Sequence, residues 1–266
     1  MGTPFKYWIL IVLIISLNIV GYTVNWGDAE SLQIFSDVLP IICSFIAVVF
    51  LIDTFKQFKQ NDIAKKAWFL ILTGVLMFFL AETTYSVLEF VFKIDMNENF
   101  PTYADIFWCI GYLPMIAGIT MMFYGYKKSG LPFGDLMLYL FFSLFFLIIA
   151  IVVINFLLIP ILRDEDTSDL AKLVYLYYPV ADLILVLPSI ILMYITSLFG
   201  PGRISIPWRY LSMGFMLITV SDLMYSYLGW RDFYGNGNLI DVGWHLGYLL
   251  IGMAGCQQKR IMIAIK

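Results

Sequence analysis

Long apolar stretches separated by short polar segments dominate the pattern of this chain. Eight of them come close to the length of about 20 residues that a helix needs to cross a bilayer. They cover residues 8–26, 34–54, 67–92, 103–125, 136–162, 173–197, 208–229 and 239–257. No small-residue cleavage site follows the first stretch, so we interpret it as a span and not as a signal peptide. The pattern therefore predicts an all-α polytopic membrane protein with eight transmembrane helices.

The composition agrees with a chain built for lipid. Hydrophobic residues make up 61% of the sequence and charged residues 13%, with a mean hydropathy of +0.87. Soluble domains carry about 25% charged residues. The cysteines, Cys43, Cys109 and Cys256, lie inside apolar stretches without the spacing of a metal site or a disulfide framework. We expect them to be structural thiols.

The basic residues predict the orientation, because cytoplasmic loops are rich in Lys and Arg. One side of the predicted membrane domain carries Lys6, Lys56, Lys59, Lys65, Lys66, Lys127, Lys128, Arg203, Arg209, Lys259, Arg260 and Lys266. The other side carries Lys93, Arg163, Lys172 and Arg231. Both termini should therefore be cytoplasmic, which an even number of spans also requires. We predict a multi-pass protein of the cell membrane.

Two segments of the chain match two later segments, which indicates an internal duplication. Residues 104–119 align without gaps to residues 240–255, and residues 68–88 align to residues 208–228. The matched positions include Trp, Gly, Tyr and carboxylate residues, which agree by chance less often than Leu does. We predict two parallel four-helix repeats, residues 1–130 and 131–266, that form a single membrane domain. Spans one and five carry no charge and should lie at its periphery, so spans three, four, seven and eight should line its centre.

Acidic and aromatic side chains recur in both predicted repeats. Glu82, Asp182 and Asp222 lie well inside their spans, and no Lys or Arg lies deep in any span. Such groups are costly in a membrane and usually face a bundle interior or a wet cavity. Helical spacing groups them with aromatic residues on common faces. The predicted ligand-binding residues are Glu82, Tyr85, Asp105, Trp108, Tyr112, Asp182, Asp222, Tyr225, Asp241, Trp244, His245 and Tyr248.

This combination of side chains suits a cation or an amine. Carboxylates supply negative charge, and each aromatic face adds about 0.5–2 kcal/mol of cation–π attraction. Clustered carboxylates must hold a cation, share protons or open to water. His245 follows Asp241 by four residues, so we expect the two to pair and to make the site sensitive to pH.

Structural roles compete with ligand binding at several of these positions. Trp and Tyr near span ends form the ordinary interfacial belt, and Asp is a good N-cap. These roles apply to Asp105, Trp108, Asp241 and Trp244. They do not account for Glu82, Asp182 and Asp222, which lie deeper. For His245 a satisfied polar contact competes with a ligand role, and Gly243 with Gly247 forms a small-residue packing motif.

The sequence excludes several classes of enzyme. A single histidine rules out the multi-His zinc centres of membrane hydrolases. The nucleophile-elbow motif Gly-x-Ser-x-Gly and a phosphate-binding glycine loop do not occur. The final span contains no Lys for a retinal Schiff base. We therefore predict no cofactor and no nucleic-acid partner, leave metal binding open, and favour a role other than catalysis.

Three short motifs resemble a known family. They are the run from Pro101 to Trp108 followed by Gly111-Tyr112, Ile240-Asp241 with Trp244 and Leu246-Gly247-Tyr248, and the run from Tyr178 to Asp182. They resemble the eight-span input module that precedes diguanylate cyclase and other prokaryotic signalling domains, over roughly residues 33–257. The resemblance implies extracytoplasmic or in-membrane sensing. The chain stops about ten residues after span eight without an output domain, so a signal would pass through a partner.

Three functions follow as alternatives. The first is a membrane-embedded binding or sensory module with an outward-facing acidic and aromatic pocket for a cation, an amine or a lipid headgroup. The second is a small ion-coupled transporter, suggested by the tandem repeats and the carboxylates within the spans. The third is a carboxylate-based membrane hydrolase in which Glu82 and Asp222 act as acid and base. The expected partners are membrane lipids and a small cationic ligand; a signalling partner and a homodimer are left open.

Overall fold

The computed structural model describes residues 5–24, 28–96, 99–130, 132–198, 204–235 and 237–265, and the regular structure in these residues is all helical. The helices are α1 Phe5–Thr23, α2 Ala29–Phe55, α3 Ile63–Phe90, α4 Tyr103–Lys128, α5 Leu136–Arg163, α6 Asp169–Ser197, α7 Ser205–Trp230 and α8 Asp241–Ile265. The predicted all-α class is confirmed. Helix α5 contains one π-helical turn, Ile154–Leu158, just before Pro160, which has no backbone N–H for a regular bond.

Helices α1 to α7 are each long and apolar enough to cross a membrane. The chain is therefore a multi-pass membrane protein. Helix α8 does not belong to that set: it carries Asp241 and His245 near its start and Lys259 and Arg260 near its end. Its centre, residues 249–254, is buried against other helices, and a helix surrounded by protein needs a less apolar sequence than one facing lipid.

The predicted stretches and the helices differ mainly at their ends. Helix α8 starts at Asp241 and continues to Ile265, past the predicted end at residue 257. The reason is that the polar residues after the apolar stretch, such as Lys259 and Arg260, continue the helix beyond it. The third stretch was predicted to end at residue 92, but α3 ends at Phe90. Helix α1 ends at Thr23, and residues 25 and 26 at the end of the first stretch lie outside the described residues.

Six helices contact one another in a ring, in the order α2, α3, α4, α6, α7, α8 and back to α2. Helix α1 packs outside against α8 and α2, and α5 packs outside against α6. Both outer helices expose many large apolar side chains, as expected for the periphery of a membrane domain. The sequence predicted α3, α4, α7 and α8 around the centre; the structure adds α2 and α6 to them.

Glycines bring two helix pairs into close contact at matched positions. A Cβ atom added at Gly74 of α3 would lie 2.5 Å from the carbonyl oxygen of Gly111 in α4. A Cβ atom added at Gly214 of α7 would lie 2.8 Å from the carbonyl oxygen of Gly247 in α8. Real Cβ atoms do not approach backbone oxygens so closely, so both crossings depend on glycine.

The middle of the bundle is filled by apolar side chains at the end where α3 and α7 begin. The rings of Trp68 and Trp208 lie there with centroids 5.4 Å apart, and the two side chains are 1% and 2% exposed. Trp68 precedes Glu82 by 14 residues, or about 21 Å of helix. Polar side chains instead gather at the opposite end, where α3 and α7 end and α4 and α8 begin.

Candidate functional site

A cavity of about 120 Å³ lies at that polar end, inside the ring of six helices. This volume is several times the roughly 30 Å³ that one water molecule occupies in the liquid. Eleven of the twelve predicted residues line it: Glu82, Tyr85, Asp105, Trp108, Tyr112, Asp222, Tyr225, Asp241, Trp244, His245 and Tyr248. Within the described part of the chain, its wall contains no Lys or Arg. The twelfth residue, Asp182, lies behind the wall.

The two deep acids that line the cavity are each bonded to a tyrosine from the other half of the chain. The Tyr248 hydroxyl of α8 donates to Oε1 of Glu82 in α3 at 2.6 Å. The Tyr112 hydroxyl of α4 lies 2.8 Å from Oδ2 of Asp222 in α7. The two contacts are reciprocal, and they hold Glu82 and Asp222 toward one shared space.

Indole and phenol rings form the remaining wall next to these acids. Trp244 donates its Nε1 hydrogen to Oδ1 of Asp222 at 2.7 Å, and its ring lies 5.8 Å from that of Tyr225. Trp108 lies 6.1 Å from Tyr85 in the same arrangement. Both tryptophans therefore point into the bundle, and the interfacial belt does not account for them.

Asp105 and Asp241 lie at the starts of their helices. Asp105 accepts the backbone N–H of Thr102 at 2.7 Å in a capping box and the Tyr178 hydroxyl at 2.5 Å. Asp241 accepts the hydroxyls of Tyr22 and Tyr234, each at 3.0 Å. Asp105 therefore takes part in capping α4, although Thr102 is the N-cap. The two contacts of Asp241 instead tie α1 and the loop before α8 to the first turn of α8.

Tyr234 belongs to the loop that joins α7 to α8 above the cavity. Burial raises the pKa of the Tyr234 hydroxyl well above its ordinary value, and the neighbouring Asp241 adds to the effect. The hydroxyl therefore stays protonated at neutral pH and remains a donor to Asp241. In this way the loop is fastened to the first turn of α8.

Asp182 is the most enclosed of the predicted acids, with 1% of its surface exposed. Its Oδ1 lies 2.8 Å from the Tyr112 hydroxyl and accepts from Thr219 at 3.1 Å. Its Oδ2 finds no hydrogen-bond donor among the described residues. Asp182 does not line the cavity itself; it is linked to the wall through Tyr112 and through the neighbouring Asp222.

His245 has a different partner from the one expected. Its Nδ1 contacts the side-chain amide of Asn18 in α1, and no hydrogen bond to Asp241 forms among the described residues. Asn18 is fully buried and His245 is 1% exposed. The expected His245–Asp241 pair is wrong because α1 packs over this face of α8 and supplies the polar contact. His245 joins the outer helix to the cavity wall.

Sequence reasoning missed several wall residues: Ser36, Asp37, Phe78, Phe100, Tyr178 and Tyr234. Asp37 was recognisable as an acid at the external end of a span. It is 7% exposed, and its Oδ2 has no hydrogen-bond partner among the described residues. Tyr178 belonged to one of the three family-like motifs. Phe100 and Tyr234 carry no signal of their own, because they lie in loops that fold back over the cavity.

Within the described residues, no three or more His, Cys, Asp or Glu side chains are placed to hold one metal ion. The carboxylates instead receive hydrogen bonds from Tyr, Trp and Thr. Each carboxylate oxygen has two lone pairs, so these bonds orient the acids and still leave acceptor capacity toward the cavity.

The Tyr248–Glu82 bond gives a first testable result. Tyr248→Phe should lower the free energy of unfolding by about 1–2 kcal/mol, because it leaves a deep carboxylate with one donor fewer. Denaturant unfolding in detergent micelles measures this change. Tyr124→Phe is the matched control, since Tyr124 is 61% exposed, and it should change stability by less than about 0.5 kcal/mol. Equal effects would contradict the role of the bond.

Comparison of the chain with protein-family models, with curated proteins and with solved structures gave no match. The resemblance to a prokaryotic sensor module therefore stays a prediction based on short motifs. The cavity itself is the best guide to function.

Proposed function

We propose that this chain is a membrane-embedded binding module, with a sensory role, whose cavity holds a small organic cation with an amine or ammonium group. The observation that carries the proposal is the placement of Glu82 and Asp222. They come from different halves of the chain and line one cavity, whose described wall contains aromatic rings and no basic residue. Four further acids lie in or behind the same wall.

The chemistry of the wall selects for positive charge. Uncompensated carboxylates within a bundle repel one another and would repel an anion. An ammonium group would pair with Glu82 and Asp222 and contact the faces of Trp108 and Trp244, each of which adds about 0.5–2 kcal/mol. An amine is favoured over a metal ion because, within the described residues, no three His, Cys, Asp or Glu side chains are placed to hold one metal ion.

The proposal includes the two-repeat, eight-span architecture. Three sets of matched contacts support it: the Gly74–Gly111 and Gly214–Gly247 crossings, the Tyr85–Trp108 and Tyr225–Trp244 ring pairs, and the reciprocal tyrosine–acid bonds. A parallel repeat makes α8 the counterpart of α4, which is apolar enough to span. With cytoplasmic termini, the cavity faces outward.

Binding is favoured over transport and over hydrolysis. A transport path would have to continue toward the other membrane face, where Trp68 and Trp208 are packed together. Hydrolysis would also need one acid to donate a proton to the leaving group, whereas Glu82 and Asp222 both accept hydrogen bonds from tyrosine. Solute flux in proteoliposomes, or turnover of a lipid substrate, would establish those alternatives.

A thermal-shift panel tests the proposal. Methylammonium, ethanolamine, choline and tetramethylammonium should raise the melting temperature of the purified protein, while sodium and potassium at the same ionic strength should not. A ligand at 100 times its Kd stabilises the folded state by about 2.7 kcal/mol. A flat response to all four amines would reject the proposal.

Two further experiments determine the source of the amine and the side of the membrane to which the cavity opens. Nanodiscs with and without phosphatidylethanolamine distinguish a lipid headgroup from free ethanolamine as the ligand. If the cavity binds the headgroup, it should already be occupied in nanodiscs that contain this lipid, and added ethanolamine should then bind only in nanodiscs without it. In sealed vesicles of known orientation, impermeant tetramethylammonium should change the fluorescence of Trp108 and Trp244 only from the side opposite the termini.

A further inference from the structure

The contacts of Tyr112 require a proton that the tyrosine does not supply. Its hydroxyl lies 2.8 Å from Oδ1 of Asp182 and 2.8 Å from Oδ2 of Asp222. A phenol has one hydrogen and can donate it to only one of these oxygens. The second contact is attractive only if the other carboxyl group is protonated and donates to the phenol oxygen. One of the two acids therefore holds a proton in this arrangement.

The surroundings identify Asp182 as the protonated acid. Asp222 receives the Trp244 N–H at 2.7 Å in addition to Tyr112, and it lines the cavity, where water can reach it. Apart from the shared Tyr112, Asp182 has only the Thr219 hydroxyl, at the longer distance of 3.1 Å, and its Oδ2 has no donor among the described residues. A buried carboxylate with so few donors is much less stable than the neutral acid.

We propose that Asp182 holds one proton before a cation binds and releases it through Tyr112 and Asp222 when a cation enters the cavity. This inference rests on the proposed function and specifies its regulation: binding would exchange one cation for one proton. The titratable groups that reach Asp182 are Tyr112 of α4, Tyr177 of α6 and Asp222 of α7. No basic side chain of the described residues faces them.

The transfer uses only groups in contact. Asp182 gives its proton to the Tyr112 oxygen as Tyr112 gives its own hydrogen to Asp222, so Tyr112 ends neutral and the negative charge moves to Asp182. The arriving cation pairs with Asp222, whose proton leaves to water in the cavity. The cation thereby compensates the additional negative charge on Asp182, and cation affinity should rise with pH.

Infrared spectroscopy of the ligand-free protein tests the stored proton without any ligand. The carbonyl band of a protonated carboxylic acid should lose intensity in Asp182→Asn and keep it in Asp166→Asn, which removes an exposed loop acid. If Asp182→Asn does not fold, Tyr112→Phe should shift the same band, because Asp182 loses its acceptor. A band unchanged by both substitutions would overturn the proposal.

Proton release tests the exchange. Adding tetramethylammonium to weakly buffered protein with a pH-indicator dye should release about one proton per cation bound, and Asp182→Asn should lose this release. Binding without release would overturn the exchange and leave the binding function intact. If the infrared band of protonated Asp182 were present but no cation bound, the proposed function would be rejected, and the exchange with it.

Discussion

Replacing Glu82 by Gln together with Asp222 by Asn is expected to abolish the stabilisation of this protein by amines. Both substitutions preserve shape and acceptor oxygens, so the bonds from Tyr248 and Trp244 can persist. What is lost is the negative charge on opposite sides of the cavity. A charge-assisted hydrogen bond contributes about 1.5–3 kcal/mol. Each 1.4 kcal/mol of binding free energy corresponds to a tenfold change in affinity. Losing both should weaken binding by at least about 100-fold.

The chain offers a matched control for this double variant. Glu165→Gln with Asp166→Asn removes the same two charges from an exposed loop and should leave amine affinity within about twofold. Titration calorimetry in micelles compares the two variants. If the loop variant weakened binding as much as the cavity variant, amines would be responding to the summed surface charge. If neither did, the cavity would not be the site.

The periodicity of single helices predicted the site better than it predicted the packing around it. Spacing placed Glu82 with Tyr85, and Asp222 with Tyr225, on common helix faces, and the structure turns these faces to one cavity. The predicted arrangement of the spans placed the helices that carry both sets around the centre of the bundle. Spacing could not show that Tyr112 and Tyr248 cross over to acids of the opposite half, because a bond between distant helices leaves no local pattern.

Contacts of the outer and flanking helices were beyond sequence reasoning for the same reason. His245 lies one turn after Asp241, which suggested a local pair, yet a buried Asn18 from α1 contacts it. Asp37 was visible as an acid, but nothing in the sequence placed α2 in the ring next to α3 and α8. Which helix covers a polar residue is decided by packing across the whole bundle, and a polar side chain accepts any suitable partner.

Gly74→Ala and Gly214→Ala should each lower the free energy of unfolding by about 2–3 kcal/mol. The added methyl carbon would lie 2.5 Å from the Gly111 carbonyl oxygen in one variant and 2.8 Å from the Gly247 carbonyl oxygen in the other. Backbone atoms of a neighbouring helix cannot rotate away as a side chain can, so the helices must separate and lose packing along their length. Unfolding by dodecyl sulfate in mixed micelles, followed by circular dichroism, measures the loss.

The pair of substitutions also tests the duplication, because parallel repeats that pack alike should respond alike. Gly235→Ala is the control: a Cβ atom there meets nothing within 4 Å, and the change should stay within about 0.5 kcal/mol. A large loss at Gly74 with none at Gly214 would mean that the two crossings differ in strength and that the halves are not equivalent. Equal losses of unfolding free energy at Gly74 and Gly214, with no loss in Gly235→Ala, would support a duplicated helix pair. The cavity would then lie where the two copies of this pair meet.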